Sequence, residues 1–298
     1  MTRVLGWGVL FTAVLISVGA CSEDAFVGFD RPAASAGGKT SDGPSDASTP
    51  LDARASACQI AKCGSHVYAC GDCVDNDGDG LVDSEDPDCV GPCQNSEDTF
   101  FGSIPGQNHQ PCAEDCYFDS NSGVGNDDCV WSHTCDPLEV APSYSPEGAT
   151  CAYDATAMLK KGLDCATALT TQSAACTSVC GPLTPNGCDC FGCCAVPGTN
   201  TAVWLGSTDD QGAPSCDHSH LDDPTRCKPC TLVQGCSNPC DTCELCFGKR
   251  TLPASCAGST ACSPPSCPAG VTPCGASCLP DCPTGEACVT GCCVAVPG

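Results

Sequence analysis

The chain has 298 residues, a formal net charge of −25 and 35 cysteines. Nucleic-acid binding needs a basic stripe, but the 11 Lys and Arg residues are scattered, so nucleic acid is not expected as a partner. Leu, Ile, Val and Phe make up about 14 per cent of residues 21–298, below the ~20 per cent that marks disorder in highly charged chains. A conventional apolar core is therefore excluded, and disulfides must order the chain instead.

Residues 1–20 have the form of an export signal. Arg3 precedes an apolar run at 4–18 that is too short for a membrane span. The segment ends in Val-Gly-Ala-Cys, which resembles a bacterial lipobox and implies cleavage before Cys21 with lipid attached there. Ser22 implies, by resemblance to known sorting rules, the outer membrane, at the surface or in the periplasm. The alternative is an ordinary secretory signal in which Cys21 is one more thiol.

The stretch at 21–57 is rich in Ala, Gly, Ser, Asp and Pro, and Cys21 is its only cysteine. Neither apolar periodicity nor a disulfide can order it, so we predict a flexible tether. Setting Cys21 aside leaves 34 cysteines, an even number that can form seventeen disulfides.

The cysteine-rich part divides into two predicted modules. The first covers residues 58–136, and a cysteine-free linker with three prolines follows at 137–150. The second module, at 151–298, contains the one helical pattern and two similar Gly-Cys-Cys endings, at 192–194 and 291–293.

An acidic loop in the first module has the spacing of a calcium-binding loop. Oxygen ligands are expected at positions 1, 3, 5, 7, 9 and 12 of twelve, with a glycine at position 6 for the sharp turn. The ligands here are Asp75, Asp77, Asp79, the carbonyl of Leu81, Asp83 and Asp86, and the glycine is Gly80. The spacing predicts one calcium ion. Aspartate in place of glutamate at the last position predicts a lower affinity than that of an EF-hand.

The same pattern resembles a thrombospondin type 3 calcium repeat over this short stretch alone. The helices that flank an EF-hand loop are not expected, because Pro87 biases Asp86 toward extended backbone. The alternative interpretation is a solvated turn of Asn, Asp and Gly residues.

A second alternation of oxygen-bearing residues runs from Asp119 to Asp128. Its fifth position is Gly123, and no acidic residue closes a twelve-residue loop. The pattern therefore favours a polar turn over a second calcium site.

The predicted fold class is small and disulfide-rich, mostly irregular, with short β-hairpins and one short helical segment at about residues 154–180. Asp164 can cap a helix that Gly181-Pro182 ends, and a shorter helical turn is expected before it. Residues 201–205 and 286–296 are the best strand candidates.

Two Cys-x-x-Cys pairs and one further cysteine have the spacing of a zinc ribbon. They are Cys227, Cys230, Cys240, Cys243 and Cys246. An exported chain meets an oxidising compartment, so we expect these cysteines in disulfides and zinc is not expected.

His218-Ser219-His220-Leu221-Asp222-Asp223 resembles in part the His-x-His-x-Asp-His metal motif of metallo-β-lactamase-like hydrolases. The last histidine of that motif is replaced by Asp223, and no histidine follows His220 to complete a metal shell. A polar loop is the favoured interpretation, and no catalytic residue is assigned.

The leader, the Asp-Asn-Asp-Gly-Asp-Gly sequence at 75–80 and the Gly-Cys-Cys endings together resemble cysteine-rich lipoproteins of myxobacteria. That resemblance implies location and architecture, and no activity. We expect an outer-membrane-anchored, disulfide-stapled, calcium-binding surface protein with a structural or adhesion-like binding role toward a cell-surface protein or polysaccharide. Two alternatives stay open: an exported metal-dependent enzyme using His218 and His220, and a cysteine-rich inhibitor or toxin-like module.

Overall fold

The computed structural model describes residues 58–102, 112–119, 127–138, 143–144, 149–256, 267–274 and 279–296. The predicted signal peptide, Cys21 and the tether lie outside these ranges. Within them no helix is long and apolar enough to span a membrane.

Disulfides hold the structure, as the composition predicts. Sixteen cysteine pairs are bonded, and they take up every cysteine in the described ranges. Cys262 and Cys278 lie outside those ranges. The predicted fold class is confirmed, since the structure combines these bridges with two-stranded sheets, a bent helical segment and long irregular stretches.

The bridges fall into groups along the chain. Residues 58–93 close on themselves through three disulfides, Cys58–Cys73, Cys63–Cys93 and Cys70–Cys89. Four others cross the predicted linker at 137–150, namely Cys112–Cys151, Cys116–Cys180, Cys129–Cys176 and Cys135–Cys165. Residues 52–298 group into one compact unit. These four disulfides join the two predicted modules covalently. Experiments on either module therefore require the whole chain.

The helical segment consists of two short helices, α1 (Cys165–Thr170) and α2 (Ala174–Val179). Asp164 caps α1 as predicted, since its Oδ1 accepts from the amide of Thr167 at 2.7 Å. The expectation of one continuous helix is wrong. The chain is extended at Thr171, and Ser173 starts α2 by accepting from the amide of Cys176 at 3.0 Å.

A long-range contact accounts for the break between α1 and α2. The Gln172 side chain exchanges two hydrogen bonds with the backbone of Val130, at 3.0 Å and 2.9 Å. The two hydrogen bonds hold Gln172 against the segment around Val130. The Cys129–Cys176 disulfide joins that same segment to α2. The helical turn expected before Asp164 is reduced to the 3-10 turn Lys160–Gly162.

In the ranges that the structure describes, four two-stranded antiparallel sheets complete the regular structure. They pair β1 (Ala113–Glu114) with β2 (Trp131–Ser132), β3 (Ser143–Tyr144) with β4 (Ala149–Thr150), β5 (Cys193–Ala195) with β6 (Ala202–Trp204), and β7 (Glu286–Val289) with β8 (Cys292–Ala295). The other 3-10 turns among the described residues are Ala69–Gly71, Asp83–Glu85, His133–Cys135, Gly181–Leu183, His218–His220, Gln234–Cys236 and Ala254–Cys256.

Both strand candidates form strands. β6 lies within 201–205, and 286–296 forms a hairpin rather than a single strand. Thr290 and Gly291 connect β7 to β8 with φ of +44° and +87°, which suits the tight turn between antiparallel strands.

The apolar core is small and mixed with cysteine. One cluster packs Phe100, Tyr117, Leu205 and Phe247 with cysteines, and Phe100 and Phe247 lie 5.2 Å apart between ring centres. This cluster connects the segment that follows the acidic loop to the distant residues 216–247, since the amide of Phe100 donates to the carbonyl of Cys216 at 3.0 Å.

Candidate metal centre

The first half of the acidic loop is held by hydrogen bonds from its own backbone to Asp75. The amide of Gly78 donates to Asp75 Oδ1 at 2.6 Å, and the amide of Gly80 donates to Oδ2 at 3.1 Å. Both glycines have positive φ, +86° and +94°, and no atom lies within 4 Å of the place where a Cβ would stand. The glycines are therefore required by backbone conformation rather than by lack of space.

The same kind of turn repeats along the loop. Asp77 Oδ1 accepts from the amide of Asp79 at 3.0 Å, and Asp79 Oδ1 accepts from the amide of Leu81 at 2.7 Å. These aspartates and Asp75 are exposed. Asp77 and Asp79 thus each accept from the amide two residues further on, whereas Asp75 accepts from the amides three and five residues on, and all three stand at alternate positions, as a calcium loop requires.

Asp86 is the most deeply buried carboxylate of the loop. Its side chain is 0% exposed, and Oδ1 accepts from the amide of Asp88 at 2.7 Å. Oδ2 is buried and accepts no hydrogen bond from any described residue. Burial, together with the negative charges of Asp79 and Asp77, raises the pKa of Asp86 to about 6. The second oxygen of Asp86 therefore lacks the compensation that a buried carboxylate needs.

Asp83 faces a different neighbour. Its two carboxylate oxygens lie 3.3 Å and 3.2 Å from the amide of Cys73, which donates to them, and its backbone has φ of +49°. Burial raises the pKa of Asp83 to about 6, with Glu97 and Asp72 as its charged neighbours. The carboxylate of Asp83 thus links the loop to Cys73, which lies just before it.

Glu97 joins the two halves of the loop and was not found by sequence reasoning. Its side chain is 1% exposed. Oε2 accepts from the amide of Asn76 at 2.6 Å, and Oε1 accepts from the amide of Asp83 at 2.8 Å. Glu97 follows the loop in sequence, outside any ligand spacing, so only the fold reveals this contact.

The far end of the loop is held by distant residues. Arg250 donates from Nη1 to the carbonyl of Asp86 at 3.0 Å, and from Nη2 to the carbonyls of Glu85 at 2.5 Å and Ser84 at 3.3 Å. Asp88 Oδ1 accepts from the amide of His218 at 2.5 Å. The loop is therefore in direct contact with residues 218–250.

The two histidines of the enzyme alternative lie in one 3-10 turn but have different partners. His220 Nδ1 lies 2.6 Å from Asp217 Oδ1, and Arg226 Nη1 lies 3.2 Å from His220 Nε2. Both ring nitrogens of His220 are thus engaged. His218 Nδ1 is buried without a hydrogen bond among the described residues, and burial together with the charge of Arg250 lowers the pKa of His218. The turn presents no shared pair of histidine nitrogens to a metal.

The cysteines with zinc-ribbon spacing are all in disulfides. The bonds are Cys216–Cys227, Cys193–Cys230, Cys240–Cys246 and Cys243–Cys256. Zinc binds thiolates, which these residues do not offer while oxidised.

No family model, no curated protein and no solved structure matches this chain. Similarity to known proteins therefore gives no function for this chain, and the geometry of the loop is what bears on it.

Proposed function

We propose that this chain is an exported, lipid-anchored and disulfide-stapled surface protein whose 75–86 loop binds one calcium ion. The ligands would be the carboxylates of Asp75, Asp77, Asp79 and Asp86 and the carbonyl of Leu81, with water filling the remaining positions. Asp83 and Glu97 would position the loop from outside the ligand set, because Asp83 accepts from the amide of Cys73, before the loop, and Glu97 joins the amides of Asn76 and Asp83.

The observation that carries the proposal is the buried carboxylate of Asp86. Its Oδ2 has no hydrogen-bond donor among the described residues, and Asp79 and Asp77 place negative charges near it that the positive charge of Arg250 does not offset. A buried charge is normally paired or coordinates a metal. A cation placed among these carboxylates would supply the missing partner and remove their repulsion.

The donor set favours calcium over zinc or magnesium. All the donors are carboxylate or carbonyl oxygens, which hard cations prefer, and calcium accepts six to eight of them in flexible geometry. The affinity should be modest, since aspartate closes the loop and three of its carboxylates are exposed. We expect Kd on the order of 10⁻⁴–10⁻³ M, the range of extracellular calcium modules.

Thermal unfolding with and without calcium tests this function. A ligand present at roughly 10–100 times its Kd stabilises the folded form by about 1.4–2.7 kcal/mol. Calcium should therefore raise the Tm of the full exported chain by roughly 3–10 °C, and magnesium at equal concentration should raise it by less. Equal shifts with both ions, or no shift with calcium, would contradict the proposal.

The pH dependence of this experiment has a definite sign. Burial raises the pKa values of Asp83 and Asp86 to about 6 and those of Asp88, Asp115 and Asp189 to about 7. Groups with raised pKa take up protons on folding, so the calcium-free protein should lose stability as pH rises from about 4 to about 7. The gain in Tm from calcium should be largest above pH 7 and should shrink below pH 6, where protons compete with the ion. Tm measured in chelator and in calcium across this range checks both trends.

The lipid anchor is tested by changing its acceptor residue. Cys21→Ser should release the protein from the membrane fraction into the soluble fraction, because the sulfur that would carry the lipid is gone. Ser22→Ala, which leaves the thiol in place, is the matched control and should stay with membranes. Sedimentation of the Cys21→Ser protein with membranes in high salt would contradict the anchor.

The role that fits these features is structural or adhesion-like binding at the cell surface. Calcium at the loop would stiffen residues 58–102 and their contact with Arg250 and His218. The partner would be a cell-surface protein or polysaccharide presented to this ordered surface.

A further inference from the structure

Three aspartates outside the calcium loop are buried beside the β1–β2 sheet. The exposed fractions are 6% for Asp115, 1% for Asp119 and 0% for Asp127. Because β1 and β2 are antiparallel, the residues that follow β1 and those that precede β2 lie at the same end of the sheet. The topology therefore brings Asp115 and Asp119 toward Asp127.

The carboxylates of Asp119 and Asp127 converge. One oxygen of each and the sulfur of Cys116 all lie within 4.8 Å of one another. Asp127 Oδ1 accepts from the amide of Cys129 at 3.0 Å, whereas Asp127 Oδ2 is buried and accepts no hydrogen bond from the described residues. Cys116 is bonded to Cys180, so its sulfur is not a thiolate ligand.

Asp115 lies close enough to Asp127 for their negative charges to interact. Its Oδ2 is also buried without a hydrogen bond in the described part of the chain. Burial, together with the charge of Asp127, raises the pKa of Asp115 to about 7 despite the opposing charge of Lys160. The next lysine, Lys161, pairs with Asp128 instead. Two buried carboxylate oxygens, one on Asp115 and one on Asp127, thus have no hydrogen-bond donor among the residues described.

We propose that Asp115, Asp119 and Asp127 form a second binding site for a hard divalent cation, with calcium as its ion. The donors are carboxylate oxygens, and those of Asp115 and Asp127 that are buried without a hydrogen-bond donor among the described residues would gain a partner in a divalent cation. The disulfide between Cys116 and Cys180 closes the site from one side. This site shares no residue with the 75–86 loop, so it does not depend on calcium binding there.

The sequence pattern predicted a turn in this region because Gly123 stands where a ligand is expected. The proposed site does not follow that twelve-residue spacing. Asp115 precedes the pattern by four residues and comes from the strand end, while Asp119 and Asp127 are brought together by the pairing of β1 with β2. Residues 120–126 lie outside the described ranges and are not part of the proposal.

Counting bound calcium separates the two sites. The full exported chain carrying Cys21→Ser, freed of metal by chelator, is brought to equilibrium by dialysis against radioactive calcium at about 10⁻³ M and higher. We expect two ions per unaltered chain, one after Asp127→Asn, and one after the double change Asp77→Ala with Asp79→Ala. Asp128→Asn removes an exposed charge at the adjacent position and should leave two.

The second site is contradicted if the unaltered chain binds one ion, the loop double variant binds none and Asp127→Asn still binds one. An ion that survives the loop variant and is lost in Asp127→Asn supports the second site, even if the loop binds nothing. Alkylation of free thiols and circular dichroism check that each variant has folded. If Asp127→Asn does not fold, Asp115→Asn takes its place beside the loop double variant. The chain with Asp115→Asn should then bind one ion fewer than the unaltered chain.

Discussion

In chelator, Asp86→Asn should unfold at a higher temperature than the unaltered protein, although the same substitution should nearly abolish the response to calcium. Asp86 Oδ1 accepts from the amide of Asp88, and an asparagine oxygen can keep that bond. The asparagine amide would then occupy the position of the unpartnered Oδ2 and could donate to the neighbouring carboxylates of Asp77 and Asp79. Removing a buried unsatisfied acceptor should stabilise the calcium-free fold by about 1–3 kcal/mol.

With calcium the sign reverses. The variant lacks the one buried charged ligand, so we expect roughly 100-fold weaker binding and no titration heat at millimolar calcium. Glu85→Gln removes one exposed negative charge at the adjacent position and should change neither result by more than about 0.5 kcal/mol. A variant that is destabilised in chelator yet binds calcium normally would show that Asp86 has a purely structural role.

Glu97→Gln should have the largest effect among single changes outside the ligand set. Both oxygens of Glu97 accept loop amides, from Asn76 at 2.6 Å and from Asp83 at 2.8 Å. A glutamine side chain keeps one oxygen acceptor, but an NH₂ group replaces the other oxygen. One of the two loop amides then faces this NH₂ group and becomes a buried donor without an acceptor. We expect a loss of about 2 kcal/mol in saturating calcium, which corresponds to a decrease in Tm of roughly 4–8 °C.

Calcium affinity should fall with Glu97→Gln even though Glu97 is not a ligand. A loop that is less ordered before binding must be ordered during binding, and 1.4 kcal/mol of that cost is a tenfold increase in Kd. Asp98→Asn, an exposed neighbour, is the control and should match the unaltered protein. Unchanged Tm and unchanged affinity in Glu97→Gln would show that the two hydrogen bonds do not hold the loop.

The features that the sequence predicts well are local. Asp75, Asp77 and Asp79 stand at alternate positions before Gly80. In the structure each of their side chains accepts a hydrogen bond from an amide a few residues further along the loop. The disulfide-rich, irregular fold class follows from the cysteine content and the scarcity of large apolar residues. Asp164 as a helix cap is likewise a one-turn interaction that spacing alone can reveal.

The features that the sequence misses are long-range. Glu97 and Arg250 reach the loop only because the chain folds back on itself. The break at Thr171 depends on the contact of Gln172 with Val130, 42 residues away. Thirty-four cysteines permit very many pairings, so the cross-links that join 112–135 to 151–180 could not be deduced from parity.

Asp83 shows that spacing alone does not specify what a side chain contacts. Its position as ninth residue of the loop predicts a ligand, yet a positive φ turns its carboxylate to the amide of Cys73. Spacing identifies which residues can face an ion, and the local backbone decides which of them do.

The central claim, calcium in the 75–86 loop, is tested most directly by locating the ion. Crystals of the exported chain grown in millimolar calcium should show an anomalous scattering peak bound by Asp75, Asp77, Asp79 and Asp86, with oxygen distances of about 2.3–2.6 Å. The peak should disappear in crystals of Asp86→Asn grown under the same conditions. A loop that is well ordered in millimolar calcium but has no anomalous peak would contradict the account.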